Sequence, residues 1–395
     1  MRPTGRLHIG HYFGALENWV RLQNDPEYDC FYFIADWHAL TSDYADASAV
    51  AQNTIEITTD YLAAGLDPEQ SVIFQQSLVR EHAELHLLLS MVTPRGWLER
   101  VPTYKEALEN VKDKDLHTYG FLGYPCLQTA DIVIYSAENT DLFVPVGEDQ
   151  LSHVELSREI VRRFNVFYSL SINMHDWMLR DRKHMDSLSP DKPRSFETFL
   201  HEAFKDGIPN WLERIGPIGR KYVKVRENLC EPQVMLTQTP RIPGLDGRKM
   251  SKSYGNAITL SESDADIRAK TKVMVTDPAR QRRSDPGNPD VCPVYDWHKL
   301  FSPPPTLEWA ANGCRTAGIG CIECKSAMAD NLIKWIEPVR ERRIEHEKNP
   351  ARVLEILNDG SRKARDQAQK TMARVREAVF GWDSKRKEIF GGAGE

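Results

Sequence analysis

Short apolar segments alternate with amphipathic ones over the first two-thirds of this chain. Three runs have the length and apolar content of buried strands, and each is followed by a helical pattern. The strand-like runs are Cys30–Ala35, Ser71–Phe74 and Leu142–Val146, and the helical segments are Ala47–Ala64, His82–Val92 and Leu151–Phe164. This alternation predicts an α/β fold with a Rossmann-type doubly wound parallel sheet, which binds its ligand at the carboxyl ends of the strands.

The strand signal ends near Ser261. Residues 326–346 and 350–380 have the apolar spacing of long amphipathic helices. We therefore predict a Rossmann domain at residues 1–260 and a C-terminal all-helical domain at residues 261–395. Residues 168–232 look irregular and polar, with scattered Trp and Pro, and we interpret them as an insertion into the first domain.

Composition narrows the class of protein. The chain has 395 residues, 41% of them hydrophobic and 27% charged, which is ordinary for a globular enzyme. No apolar run approaches the ~18–20 residues that cross a bilayer, and no signal peptide is recognisable, so we expect a cytoplasmic protein with reduced thiols and no membrane contact. The net charge is −6, whereas residues 325–395 carry 16 Lys and Arg against 12 Asp and Glu. That local excess suits either an RNA contact or an exposed helical face.

Two short motifs far apart in the chain predict a phosphate site. The first, His8-Ile9-Gly10-His11, lies where a turn-rich stretch enters a helical pattern. Small residues allow a ligand close to the backbone, and a helix N-terminus offers free N–H groups to phosphate. The second, Lys249-Met250-Ser251-Lys252-Ser253, places two lysines in a glycine-rich loop, which suits a departing pyrophosphate. Either motif alone is more often surface or packing, but together they predict that ATP is held from two sides.

In this order the pair resembles the signatures of class I aminoacyl-tRNA synthetases. Four further blocks resemble the tryptophanyl-tRNA synthetases within that class: Met1–Gly5, Ala35–Thr41, Tyr124–Ile132 and Val144–Gln150. The resemblance covers most of residues 1–165 and 240–395. It implies an enzyme that activates L-tryptophan with ATP and Mg²⁺ and transfers it to tRNA(Trp). It also implies a homodimer, with the helical domain contacting the tRNA anticodon.

The resemblance also assigns site residues. The implied catalytic residues are His8, His11, Lys249 and Lys252. The implied ATP-binding residues are Arg2, Pro3, Thr4, Gly10, His11, Gly147, Glu148, Asp149, Ile242, Lys249, Met250, Ser251, Lys252 and Ser253. The implied tryptophan-binding residues are Tyr124, Gln128, Asp131 and Gln150, with Tyr124 and Gln150 on the substrate ammonium group.

Asp131 also has a chemical argument of its own. The indole N–H is a donor only, so a tryptophan pocket needs one acceptor, and Asp131 begins an apolar run that could line such a pocket. A buried acceptor without a partner costs roughly 1–3 kcal/mol, which would penalise phenylalanine. Tyrosine is the nearest competitor because its hydroxyl is also a donor. Two other readings are a smaller nucleotidyltransferase and an RNA-binding or metal-sensing paralogue without a role in translation.

Four of the seven cysteines have the spacing of a metal site. Cys292, Cys314, Cys321 and Cys324 form the pattern C-x21-C-x6-C-x2-C, and four thiolates can complete either a zinc site or an iron–sulfur cluster. Spacing alone slightly favours zinc. A subset of bacterial tryptophanyl-tRNA synthetases carries a 4Fe-4S cluster on similar spacing, with a first gap one residue longer, so the resemblance implies the cluster.

The start of the chain is unusual for the family it resembles. The His-Ile-Gly-His turn should follow a central strand, but only Met1 and Arg2 precede Pro3. We expect a misassigned start codon or a truncated chain, which mass spectrometry of the natural protein would test.

Overall fold

The computed structural model describes residues 1–110, 114–188, 195–226, 228–237 and 242–391, apart from the side chains of Asn110 and Ser253. Within these ranges there are six strands in three pairs. β1 neighbours β2, β3 runs parallel to β6, and β4 runs antiparallel to β5. The strands are β1 (Cys30–Ile34), β2 (Ser71–Gln75), β3 (Phe143–Val146), β4 (Leu170–Ile172), β5 (Val223–Val225) and β6 (Gln233–Leu236).

Helices make up most of the remainder. The first begins at Ile9–His11 and continues through a π-helical turn at Tyr12–Leu16 into Glu17–Gln23. The other α-helices are Asp36–Asp43, Val50–Ala64, Glu81–Val92, Arg95–Leu98, Pro102–Asn110, Tyr119–Val133, Leu151–Tyr168, Met174–Arg180, Arg182–Ser187, Phe196–Asp206, Ile208–Arg220, Asp264–Lys272, Pro293–Phe301, Pro304–Arg315, Cys321–Glu347, Pro350–Phe380 and Trp382–Gly391. Among the described helices, none combines the length and apolarity needed to cross a bilayer.

The alternation predicted from the sequence is present at each predicted strand and helix. β1, β2 and β3 coincide with the three predicted strands to within one residue at each end, and each is followed in the chain by a helix. Val50–Ala64 ends at Gly65, which adopts φ +110° at the helix C-terminus, a conformation that costs glycine little. No strand occurs after residue 260 in the described part of the chain, where the two long predicted helices are Cys321–Glu347 and Pro350–Phe380.

The chain forms two compact units, each built from separate segments. The first consists of Met1–Asp36, Asp46–Phe74 and Thr237–Gly360, and the second of Trp37–Ala45, Gln75–Leu236 and Ser361–Glu395. The core of the first unit contains apolar side chains from the first helix, β1, β2 and the Cys321–Glu347 helix. These units do not follow the predicted division at residue 260, which remains a functional prediction.

The interpretation of residues 168–232 as irregular is wrong. Outside residues 189–194 and 227, which the description does not include, the segment contains four helices and the β4–β5 pair. Its helices enclose a small core in which Trp177, Phe199 and Trp211 are almost fully buried. The helices are short and interrupted by Pro and Gly, so their apolar periodicity is too brief to be recognised in the sequence.

Met1 lies beside β1. The amino group of Met1 donates to the Phe33 carbonyl at 2.7 Å, and the Ala35 amide donates to the Met1 carbonyl at 2.7 Å. Met1 therefore takes the position of a strand residue next to the end of β1.

One helix approaches a strand very closely. Gly360 lies in the Pro350–Phe380 helix, where a Cβ atom would overlap the backbone carbonyl of Ile73 in β2. Only glycine fits this contact, because the obstacle is backbone and cannot rotate away.

Candidate active site

The His-Ile-Gly-His turn starts the first helical segment of the chain. Its short helix, Ile9–His11, leads directly into the π-helical turn Tyr12–Leu16. Such turns are rare and occur frequently at functional sites. His8 pairs with Thr259 in an isolated antiparallel β-bridge. The segment that follows the Lys-Met-Ser-Lys-Ser loop therefore holds the turn in place.

The two motifs lie against each other in the first compact unit. Nζ of Lys252 donates to the carbonyl oxygens of Thr4, at 2.7 Å, and Arg6, at 3.0 Å. A Cβ atom on Gly10 would lie 3.5 Å from Sδ of Met250. The structure thus brings together Thr4, Gly10, Met250 and Lys252, all predicted to bind ATP.

Burial keeps both motif histidines neutral. It lowers the pKa of His8 to about 4 and that of His11 to about 3, and the Lys252 ammonium adds to both effects. The His8 amide donates to Nδ1 of His11 at 3.2 Å, so neutral His11 carries its proton on Nε2. An Nε2–H group of this kind can donate to a phosphate oxygen. Nδ1 of His8 is buried and has no hydrogen-bond partner among the described residues.

The Lys-Met-Ser-Lys-Ser loop is shaped by Asn256. Its Oδ1 accepts from the Ser251 amide at 2.7 Å, and its Nδ2 donates to the Lys249 carbonyl at 3.1 Å. Met250 is buried, whereas the Lys249 side chain is exposed. These bonds fix the loop backbone that carries Lys249. The side chain of Ser253 lies outside the described part.

The other predicted ATP-binding residues are spread over both units. Pro3 and Ile242 are buried and Arg2 is exposed, all in the first unit. Gly147, Glu148 and Asp149 belong to the second unit and directly follow β3. They therefore lie at the carboxyl end of a strand in the parallel β3–β6 pair, the edge at which α/β sheets bind ligands.

Asp131 lies at the centre of a buried hydrogen-bond network in the second unit. Its carboxylate accepts hydrogen bonds from Nε2 of His38 at 2.7 Å, from Nε2 of Gln76 at 2.8 Å and from Nδ1 of His82. Burial opposes ionisation, but the two histidines outweigh it and hold the pKa of Asp131 well below its usual range. The carboxylate is therefore charged and can only accept, so each facing ring nitrogen must carry a proton.

The network extends one step further, to Tyr135. Nε2 of His82 contacts the Tyr135 hydroxyl, and burial raises the pKa of that tyrosine well above its usual value. The hydroxyl thus stays protonated and can donate to a neutral His82. Nε2 of Gln76 lies 2.8 Å from both Asp131 oxygens, so the three donor atoms make four contacts and occupy the roughly four lone-pair positions of the carboxylate. An indole N–H would therefore have to replace one of these contacts.

The remaining residues predicted to bind tryptophan lie in the same unit as Asp131. Gln128 precedes Asp131 by three positions on the Tyr119–Val133 helix and therefore shares its side of the helix. Tyr124 is buried on this helix, where its hydroxyl contacts Thr103 at 2.8 Å and His153 at 3.3 Å. Gln150 ends the turn after β3 and is half-buried.

The four spaced cysteines come from three segments of the first unit. Cys292 precedes the Pro293–Phe301 helix, Cys314 lies in Pro304–Arg315, and Cys321 and Cys324 form the first turn of Cys321–Glu347. Burial, and after it the charges of the other three thiols, raises the pKa of Cys324 to about 12. No three His, Cys, Asp or Glu side chains in the described ranges converge closely enough to hold a single metal ion.

The polar partners of these residues were not predicted from the sequence. His38 lies in the Ala35–Thr41 block, and that block was the one sequence signal that pointed to a partner of Asp131. Gln76 and His82 carry no motif and approach Asp131 from 55 and 49 positions away. Arg280 is likewise unpredicted: its guanidinium lies 3.9 Å from the sulfur of Cys314.

Comparisons identify related proteins. Residues 1–189 and 217–337 match the family of tRNA synthetases class I (W and Y). A tryptophan–tRNA ligase of Ralstonia nicotianae is 46% identical over 401 residues, covering 96% of each chain. That of Thermotoga maritima is 44% identical over 380 residues, covering 96% of this chain and 97% of the relative. Among solved structures, the tryptophanyl-tRNA synthetase of Campylobacter jejuni complexed with ADP and tryptophan has a TM-score of 0.72 at 28% identity, over 96% of this chain and 98% of that one.

This chain therefore belongs to the class I tRNA synthetases of the tryptophan and tyrosine family. The Rossmann-type α/β fold with a helical C-terminal region is confirmed. Within the family, the predicted activity is confirmed as that of a tryptophan–tRNA ligase, because full-length relatives with that activity match almost the whole chain.

Proposed function

We propose that the chain activates L-tryptophan with ATP to tryptophanyl-AMP and transfers the amino acid to tRNA(Trp), releasing pyrophosphate and AMP. The observation that carries this proposal is the contact of Lys252 with the carbonyls of Thr4 and Arg6, which joins the two ATP motifs. The full-length tryptophan–tRNA ligase relatives support the choice of substrate.

The first step needs placement more than proton transfer. The tryptophan carboxylate is ionised at neutral pH, so it attacks the α-phosphorus of ATP without a general base. The new P–O bond forms as the bond to the pyrophosphate oxygen breaks, and the negative charge moves onto pyrophosphate. Catalysis then depends on positioning and on groups that stabilise the growing charge.

The motif residues supply those groups. His8 and His11 are neutral, so their ring N–H groups donate to phosphate oxygens without adding a buried charge. Lys249 and Lys252 supply positive charge for pyrophosphate, and Mg²⁺, when bound with ATP, would add to that charge. Lys252 would leave its two carbonyl partners as it moves to the ligand.

The second step is acyl transfer. A hydroxyl of the terminal tRNA adenosine, the 2′-hydroxyl by family resemblance, attacks the carbonyl carbon of tryptophanyl-AMP. The ester bond to the tRNA forms as the bond to phosphate breaks, and the hydroxyl proton leaves with the AMP phosphate.

Asp131 is the proposed acceptor for the indole N–H, and Gln128 its neighbour in the pocket. The charge on Asp131 supports this role, in which the indole N–H would replace one of its present contacts. Tyr124 and Gln150 are proposed to hold the substrate ammonium group, and Gly147, Glu148 and Asp149 to contact the adenosine.

The decisive experiment is aminoacylation of purified tRNA with tryptophan or tyrosine. We expect charging of tRNA(Trp) with tryptophan and none with tyrosine. Tyrosine charging, or RNA binding without charging, would contradict the proposal.

We also propose a division of labour along the chain. Residues 1–260 would carry catalysis, and residues 261–395 would contact the tRNA anticodon. The excess of Lys and Arg over Asp and Glu in residues 325–395 supports an RNA contact. The protein is proposed to act in the cytoplasm, which agrees with seven cysteines that form no disulfide, all of them in the described ranges.

A 4Fe-4S cluster on Cys292, Cys314, Cys321 and Cys324 is proposed, with zinc as the alternative. The residues fit a sulfur-rich anionic group in three respects. The thiols of Cys292, Cys314 and Cys321 each raise the pKa of Cys324. The buried guanidinium of Arg280 faces Cys314. Gly287 leaves room beside that sulfur, because a Cβ there would lie 2.7 Å from it.

When bound, such a group would cross-link three segments of the chain and have a structural role. Its test is the iron, sulfide and zinc content of anaerobically purified protein. Iron with acid-labile sulfide is expected, whereas one zinc per chain would favour the alternative. Cys324→Ser should abolish the bound metal, and Cys230→Ser should not.

A homodimer is proposed on the family resemblance. On the Glu81–Val92 helix, Leu85 and Leu89 are buried, whereas Leu87 is 53% exposed and Met91 69% exposed. Leu87 and Met91 thus leave apolar surface for a second copy. A dimer in analytical ultracentrifugation that dissociates in Met91→Lys is the expected result, and a monomer would contradict it.

A further inference from the structure

A buried carboxylate holds the backbone just before the motif histidines. Asp60, on the Val50–Ala64 helix, accepts from the Leu7 amide at 2.6 Å and is fully buried. On its other side the Leu7 carbonyl accepts from the Leu260 amide at 2.9 Å. The residue before His8 is therefore fixed on both sides, by a carboxylate and by the segment after the Lys-Met-Ser-Lys-Ser loop.

Arg343 in turn holds Asp60. It lies near the end of the Cys321–Glu347 helix, its side chain is only 2% exposed, and its guanidinium contacts the carboxylates of Asp60 and Glu56. It also donates to the Glu56 carbonyl at 3.2 Å and pairs with Glu347 at 3.0 Å. A guanidinium buried this deeply is stable only with such partners, and their loss would leave a charge uncompensated.

The same carboxylate acts on the second motif. Burial lowers the pKa of Lys252, and the charge of Asp60 opposes that effect. Asp60 therefore acts next to both motifs. It accepts a hydrogen bond from the residue before the histidine turn, and its charge acts on Lys252. Asp60 itself belongs to neither motif.

We propose that Asp60 and Arg343 are positioning residues for adenylate formation. Arg343 orients the Asp60 carboxylate, the carboxylate fixes the Leu7 amide, and the fixed backbone places the His8 and His11 rings for the triphosphate. Neither residue touches the substrate. The proposal deepens the proposed function and depends on it, since it concerns the same ATP site.

Arg343→Met removes the guanidinium and keeps much of the apolar volume. Because displacement of a catalytic group by about 1 Å can cost about 100-fold, we expect the kcat of ATP–pyrophosphate exchange to fall about 10- to 100-fold. The KM for tryptophan should stay within about twofold, because the pair acts on the phosphate turn. Arg343→Lys should recover part of the loss.

Arg340→Met is the matched control. Arg340 lies on the same helix, and it donates to the Glu262 carbonyl at 3.0 Å and pairs with Asp264, away from Asp60. The Arg340→Met variant should be less stable than wild type, but its kcat should be unchanged once the folded fraction is taken into account. Equal kcat in the two methionine variants would overturn the proposal.

A second measurement separates this inference from the proposed function. Histidine ring titrations by NMR do not require activity. In wild type His8 and His11 should stay neutral to about pH 4 and about pH 3, and in Arg343→Met both pKa values should rise toward 6.5 as the turn loosens. Unchanged titrations in Arg343→Met would refute the positioning role even if the enzyme charged tRNA. Shifted titrations in Arg343→Met, together with a wild-type protein that lacks exchange activity, would refute the proposed function and still support the positioning role of Arg343.

Discussion

Asp131 accepts a hydrogen bond from Nε2 of His38 at 2.7 Å, and both side chains are buried. His82 and Gln76 approach the same carboxylate, so three donors compete for one acceptor group. This arrangement orients the carboxylate and keeps it charged without a Lys or Arg partner. A tryptophan site built in this way would have its acceptor in place before the substrate arrives.

Asp131→Asn should therefore be costly. An amide cannot accept all three donors, and its own NH₂ group would face some of them, so we expect a loss of about 2–4 kcal/mol in the free energy of unfolding. Urea denaturation measures this loss. Asp141→Asn is the control, because Asp141 is exposed and accepts from Nε2 of Gln233 at 3.0 Å. A change in Asp131→Asn no larger than in the control would contradict the network.

Lys252→Ala should lower adenylation far more than tryptophan affinity. The ammonium joins the two motifs and is assigned to pyrophosphate, so its removal should reduce kcat for ATP–pyrophosphate exchange by about 100-fold or more. Equilibrium tryptophan binding should be nearly unchanged. Lys270→Ala is a matched control, because Lys270 also donates to a backbone carbonyl, that of Ala257 at 3.3 Å. Unaltered exchange in Lys252→Ala would refute the assignment.

Stability should decrease as the pH falls, because His8 and His11 are neutral in the folded protein. Below 6.5 the unfolded chain protonates these histidines, whereas the folded values are about 4 and about 3. The unfolded state then binds more protons, so the free energy of unfolding decreases as the pH falls through this window. For His8 the loss is at most about 3 kcal/mol.

The measurement is urea unfolding at a series of pH values in wild type, His8→Asn and His201→Asn. The His8 variant should lose stability less steeply than wild type, and the variant of exposed His201 should match wild type. Parallel curves for wild type and His8→Asn would show that His8 is not buried as a neutral group.

Gly360→Ala should destabilise the first compact unit. The added methyl would overlap the Ile73 carbonyl, so the helix or β2 must shift, at a cost of about 1–3 kcal/mol. Gly96→Ala should be neutral or slightly stabilising, because the nearest atom to a Cβ there is the flexible end of Arg100 at 3.7 Å. Thermal unfolding of the two variants side by side checks the difference.

The sequence was sufficient for the elements with strong periodicity. β1 and the Val50–Ala64 helix were predictable because apolar runs and a terminal glycine are local signals. The helices around Trp177 and Trp211 were not, since each is too short to show a clear period, and their shared core forms only when they meet. The His-Ile-Gly-His and Lys-Met-Ser-Lys-Ser motifs were recognisable in the sequence. The contact that Lys252 makes between them could be seen only in the structure.

The buried polar residues that support the site could not be predicted from the sequence, for a different reason. Asp60 and Arg343 are 283 positions apart, and each alone reads as an ordinary charge on a helix. Their burial, which makes them informative, is a property of the packed helices. The same holds for His82, whose role is defined only by Asp131 and Tyr135.

The Cys321–Glu347 helix has 27 residues, about 40 Å at 1.5 Å per residue, and it contains Pro338. A proline inside a helix removes one backbone hydrogen bond, so the ladder is interrupted between Cys324 and Arg343. Just before the interruption, the Trp335 ring lies 4.9 Å from that of Tyr12, beside the histidine turn. Because Trp335 precedes Pro338, the unbroken part of the helix runs from the cysteines to the ring that packs against Tyr12. A displacement at the cysteine end would therefore reach the histidine turn along a continuous backbone ladder before it reached Pro338.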